Sequence, residues 1–139
     1  MKLIICLDEN DGFLFNNRRQ SQDKYLRNDI LDLIKDKSIY MNKYSYSLYK
    51  DKKNKNIKVC DDFLEQCSEN DYCLVENIEF KKYEKKINTI IIYKWNRIYP
   101  ADTFFDMNLK KDKWILIENK SFLGYSHDKI TRLIYRRIL

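Results

Sequence analysis

The chain reads as an α/β protein with a mainly parallel central sheet, flanking helices and an antiparallel carboxy-terminal edge. Three observations lead there. Leu3–Leu7, Tyr72–Val75 and Thr89–Tyr93 are short apolar runs, continuous in the way expected of strands covered on both faces. Helical patterns separate these runs, and parallel neighbours need crossovers of that kind. Beyond the third run the helical period vanishes. Lys113–Glu118 and Ile130–Arg137 then follow as consecutive strands with a turn around Gly124, which makes them an antiparallel edge.

Taken in order, the first run is followed by a polar loop, Asp8–Arg19, which contains Gly12. From Gln20 to Asp36 the apolar residues Leu26, Ile30, Leu33 and Ile34 fall at offsets of four, seven and eight, one stripe of an amphipathic helix. Ser38–Met41 predicts a short strand and Tyr44–Tyr49 a short helix or turn. Asp51–Lys58 is a solvated connection, with a strand starting near Ile57. Asp61 or Asp62 can cap a short helix running to Cys67, because a carboxylate satisfies free amides and suits the helix dipole. Phe80–Lys86 predicts a helix, and Thr89–Trp95 the longest apolar strand.

Length and composition bound the function. With 139 residues, residues 1–139 are expected to form one domain whose core needs no staples. Hydrophobic residues make up 44% and charged ones 35%, the balance of a soluble globular protein, and two glycines with one proline argue against flexible linkers. A formal net charge of +6 raises nucleic acid as a partner. The chain is also crowded with Lys, Asn, Ile and Tyr, as an A/T-biased genome produces, and that compositional reading is favoured. The apolar run at the amino terminus is too short for a signal peptide or a membrane span, so no membrane partner is expected. Cys6, Cys60, Cys67 and Cys73 form no C-x-x-C pair, and His127 is the only histidine. No metal site follows, and reduced thiols in a cytoplasmic protein are expected.

Several segments together resemble the dihydrofolate reductase-like fold. "MKLIICLDENDGFLFNN" resembles its first strand and mobile loop, and "QSQDKYLRNDIL" falls where the family places its substrate-contacting helix. "SIYMNKYSYSLY" is similar to the strand and short helix that approach the cofactor. "ADTFF" resembles the G-D-T-x-F turn, and "SHDKITRLIYRR" aligns with the last strand. The resemblance spans nearly the whole chain and implies an NADPH-dependent reductase. Two departures weigh against ordinary NADPH use. Where family members carry a glycine pair beside the diphosphate, this chain reads "VENIEF", with Glu76 in place of glycine. Where they carry G-R-x-T-W it reads "NKYSY", leaving Lys43 and Ser45 as phosphate contacts. No cofactor is therefore expected. The sequence is also similar to short bacterial proteins that carry the name ribonuclease Z. The dinuclear H-x-H-x-D-H site of true enzymes of that name cannot be built with His127 alone.

Candidate site residues follow. Asp23 is the nearest match to the family's acidic residue on the substrate helix, and the resemblance implies that it reads a heterocycle's N–H edge. The plainer reading is an acid in a helix first turn. Arg18 and Arg19 offer bidentate forks for a carboxylate or phosphate. Two cations so near a helix amino terminus oppose the dipole, so an anion is expected to offset them. Gln20, Asn96, Arg97 and Asp102 supply donors and acceptors near Trp95 and Tyr99, a mix suited to a planar ligand. His127 can act as a general acid or base, although a lone histidine in a loop is commonly an ordinary surface residue. "RRQSQD", Arg18–Asp23, is expected to wall a polar cleft facing Asn96, Arg97 and the His127 loop, with Arg19 near the surface and cheap to remove. The favoured function is binding of, or chemistry on, a small planar or anionic ligand without ordinary NADPH use. The alternatives are a reductase with an altered cofactor site and a noncatalytic basic interaction module.

Overall fold

The computed structural model describes residues 1–138. Its main sheet has seven strands: β1 (Lys2–Leu7), β4 (Ile39–Met41), β5 (Ile57–Val59), β6 (Tyr72–Leu74), β7 (Thr89–Lys94), β9 (Trp114–Phe122) and β10 (Ile130–Arg137). They lie in the order β5-β4-β6-β1-β7-β10-β9. β1 is central, parallel to both β6 and β7, while β10 is antiparallel to β7 and to β9. The expected parallel sheet with an antiparallel edge is present. Ile90, Ile91 and Ile92 are buried, as their continuous apolar run required.

The two faces of the sheet carry separate cores. Leu3, Ile5, Leu7, Phe63, Phe80 and Ile90 pack on one face. Ile4, Ile91, Tyr93 and Trp95 meet Leu26, Ile30 and Ile34 of helix α1 (Lys24–Ile34) on the other. Alternation of side chains along each strand sorts them this way. Of the helical stripe read from Leu26, Ile30, Leu33 and Ile34, all but Leu33 are buried and Leu33 is half-buried.

The boundaries differ from expectation for identifiable reasons. α1 begins four residues later than Gln20, because the Asp23 carboxylate caps it by accepting from the amides of Tyr25 and Leu26. It stops at Ile34, followed by Lys35 with φ 54°. The polar loop contains β2 (Gly12–Phe15) and β3 (Arg18–Arg19), which join β8 (Thr103–Phe104) in a second, three-stranded sheet ordered β3-β2-β8. Strands this short carry too little pattern to be seen. Lys81–Lys86 is a 3₁₀ rather than α-helix, and the Lys113–Glu118 strand extends to Phe122. Helices α2 (Lys43–Tyr46) and α3 (Phe63–Gln66) are single turns. No helix among the described residues is long and apolar enough to cross a membrane.

Candidate functional site

The carboxyl ends of β1 and β7 and the start of α1 converge on one small region. Asp8, just beyond β1, is buried and organises it. Its oxygens accept from the amides of Asn10, Gly12 and Tyr99 and from Gln20 Nε2 at 2.8–3.2 Å. Gly12 is needed there, since a Cβ would come within 2.6 Å of Ala101 Cβ. One carboxylate thereby ties the first loop, the α1 approach and the segment after β7 together.

Asp23 has no exposed side-chain surface. Oδ1 accepts from the amides of Tyr25, Leu26 and Tyr125, and Oδ2 from the Ser126 amide and hydroxyl and from His127 Nδ1 at 2.9 Å. Burial alone would raise its pKa, but the Tyr125 amide, His127 and the Ser126 and Leu26 amides together hold the carboxyl well below the usual range. A carboxylate that stays ionised only accepts, so His127 Nδ1 carries a proton. With the proton on Nδ1 alone, Nε2 is an acceptor, and it meets two hydroxyls: Tyr99 Oη at 2.9 Å and Ser21 Oγ at 3.1 Å. The ring is stacked on Trp95, centroids 4.7 Å apart. Gly124 makes this possible, because a Cβ there would lie 2.6 Å from the His127 carbonyl oxygen and 2.9 Å from Asp23 Oδ2.

Arg19 occupies the neighbouring wall. Its Nε and Nη2 each donate to Glu76 at 3.0 Å, Nη2 also reaches the Tyr44 carbonyl, and Cζ lies 4.1 Å from the Tyr44 ring centre. Only 17% of the Arg19 side chain and 12% of the Glu76 side chain are exposed. The anion demanded by two arginines near a helix start is therefore supplied, for Arg19, by the chain itself. Arg19 is thus enclosed in a bidentate pair and does not stand at the open surface expected of it. Beside it, Asn42 caps α2 at the Ser45 amide and donates to Asn77.

Two adjoining crevices lie between these walls. Each leaves about 10 Å³ for the centre of a water-sized sphere, room for one water. Cys6, Ser21, Glu76 and Trp95 line both; Arg19 and Gln20 border one, Asp23 and Arg27 the other. Burial raises the Cys6 thiol well above its ordinary pKa, so it is a poor nucleophile. Two buried polar atoms here, Gln20 Oε1 and Arg27 Nε, have no hydrogen-bond partner among the described residues.

The structure puts Asp23 in contact with His127 and sets Arg19, Gln20 and Asp23 around the two crevices. It does not bring in the others. Arg18 is exposed on β3, and Arg97 is exposed, with its carbonyl accepting from the Glu9 amide. Asp102 is exposed and accepts from the Asn16 amide and Thr103 Oγ1. Asn96, at φ 59°, donates Nδ2 to the Lys129 carbonyl and Thr131 Oγ1, latching β7 to the start of β10. Sequence reasoning missed Ser21, Arg27, Tyr44 and Asp8, and the pairing of Glu76 with Arg19. Ser21 precedes Asp23 by two positions and could have been singled out. Its contact with a histidine 106 residues away left no local signal.

Comparison with solved structures decides the architecture. A dihydrofolate reductase from Enterococcus faecalis, complexed with NADP(H) and RAB-propyl, matches with a TM-score of 0.67 over 99% of this chain and 96% of that one, at 8% identity. The chain has the dihydrofolate reductase-like fold. In all, 254 chains of solved structures match it. No family model matches the sequence, and neither does any curated protein. At 8% identity the likeness is one of fold, and function rests on the residues themselves.

Proposed function

We propose that this dihydrofolate reductase-like chain binds a small planar or anionic ligand between Arg19–Asp23 and Glu76, without NADPH in the ordinary manner. The observation that carries the reading is the pair of unpartnered buried atoms, Gln20 Oε1 and Arg27 Nε, beside the crevices. Each unsatisfied buried group costs about 1–3 kcal/mol, and more where it is charged. A ligand offering one donor and one acceptor would satisfy both, and Trp95 supplies an aromatic wall. Arg19 and Glu76 both border one crevice, so a ligand's anionic group there would compete with that carboxylate for the guanidinium.

The cofactor implied by the fold does not fit these residues. Glu76, just beyond β6, stands where the resembled reductases have glycine, and its charge is committed to Arg19. A diphosphate brought there would face a carboxylate and meet side-chain bulk instead of open backbone.

Titration with benzoate and related aryl carboxylates, followed by tryptophan fluorescence in a Trp114→Phe background that leaves Trp95 as the sole indole, tests the reading. Saturable quenching is expected, weakened about 10- to 100-fold by Arg27→Gln, because hydrogen bonds to charged groups contribute about 1.5–3 kcal/mol. Binding unaffected by both Arg27→Gln and Gln20→Ala would refute the site.

A further inference from the structure

We propose that Ser21 is a nucleophile for acyl transfer to water, with His127 as its general base and Asp23 as the residue that orients the base. The inference shares the crevice with the ligand reading and goes beyond it, because it names a reaction. Its elements are on two segments, Ser21 and Asp23 on the stretch that leads into α1 and His127 in the turn between β9 and β10. Ser21 Oγ lies 3.1 Å from His127 Nε2, and His127 Nδ1 lies 2.9 Å from Asp23 Oδ2. A serine, a histidine and a carboxylate in this relation form the nucleophile–base–orienter arrangement, which is recognised by geometry rather than by sequence order.

Three features suit the arrangement to chemistry. The ionised Asp23 fixes the tautomer, so the Nε2 lone pair is aimed at the hydroxyls. Stacking on Trp95 fixes the ring plane. Ser21 lines both crevices, whereas Tyr99, the second hydroxyl on Nε2, lines neither. Only one hydroxyl can donate to the lone pair at a time, and Ser21 is the one that lines the crevices. Arg27, whose Nε is unpaired, borders the same crevice as Ser21 and supplies a cationic donor for charge developing on a carbonyl oxygen.

The substrate class is a small aryl or short-chain ester. Ser21 Oγ bonds to the carbonyl carbon as its proton moves to His127 Nε2, and the carbonyl π pair becomes an oxyanion. Collapse of that oxyanion breaks the bond to the leaving oxygen, which takes the proton from Nε2 and departs as an alcohol or phenol. Water then adds to the acyl-serine, giving its proton to Nε2. A second collapse breaks the acyl–Oγ bond, returns the proton to Ser21 and releases the carboxylic acid.

A fluorophosphonate, which phosphonylates an activated serine with loss of fluoride, is the probe. Intact-mass and peptide analysis should show one adduct, on Ser21, absent from Ser21→Ala. His127→Gln should slow labelling about 100-fold or more, within the usual contribution of a general base. Should that variant fail to fold by circular dichroism, the wild-type labelling rate must instead rise with pH through a single deprotonation, and a flat profile refutes the base. No adduct on Ser21, or an adduct on Tyr99 in its place, overturns the proposal. Carboxylate binding without a Ser21 adduct sinks the nucleophile alone, and an adduct without carboxylate binding sinks the ligand reading alone.

Discussion

Replacing Arg19 by alanine should destabilise the protein far more than loss of a surface arginine would. The guanidinium and the Glu76 carboxylate share two hydrogen bonds of 3.0 Å, with 17% and 12% of their side chains exposed. Unit charges about 4 Å apart attract by about 4 kcal/mol at an effective dielectric constant near 20. Desolvation offsets part of that, but deleting one partner leaves the other charge enclosed, a change that costs about 3–5 kcal/mol when burial is complete. The residual exposure lowers the figure, and the lost Tyr44 stacking restores about 0.5–1 kcal/mol. About 3 kcal/mol is expected for Arg19→Ala. A cycle with Glu76→Gln should give a coupling of about 2 kcal/mol, against about 0.2–1 kcal/mol for exposed pairs. Urea denaturation of the four proteins measures it, with equal m values confirming that only stability changed. A coupling below about 0.5 kcal/mol would refute the enclosed pair and mean that the crevice stands open in solution.

Other outcomes follow from the same geometry. Gly124→Ala should lower stability by about 1–3 kcal/mol, as overpacking does, because its methyl group meets the His127 carbonyl and Asp23; an unchanged thermal midpoint would contradict that contact. The depressed Asp23 pKa makes the unfolded state the stronger proton binder, so its contribution is present above about pH 4 and is lost as pH falls. Asp23→Asn should therefore be less stable at neutral pH and show a shallower loss of urea midpoint on acidification; parallel profiles would count against the carboxylate's role. Arg132 bridges Asp29, which also accepts from Tyr93 Oη, and Glu118, so Arg132→Lys should cost about 1–3 kcal/mol by chemical denaturation. A loss within experimental error would show that the fork is not used.

How much of this was legible in the sequence depended on the range of the signal. Ile90–Ile92 and the Leu26–Ile30–Ile34 stripe announced β7 and α1, because burial imposes a period over neighbouring residues. The two-residue strand Arg18–Arg19 could not be seen, since its pairing with Leu14 and Phe15 leaves no period. The helix start was misplaced because the cap acts through one carboxylate, Asp23, and the residues before it lie outside the helix. In the site, residue types were informative and positions were not. Asp23, Arg19, Gln20 and His127 were chosen for their chemistry, and so were Arg18, Arg97 and Asp102, which face elsewhere. What separates the two groups is the direction in which the fold turns each side chain, as where Asp23 meets His127, and only the fold supplies that.

The most direct test of the central claim, that this dihydrofolate reductase-like fold holds its cleft with an Arg19–Glu76 pair and does not use NADPH in the ordinary manner, is calorimetric titration of the wild-type protein with NADPH. The expected result is no binding tighter than roughly millimolar, equivalent to about 4 kcal/mol. Micromolar affinity would contradict it, show that Glu76 yields to a diphosphate, and restore a reductase.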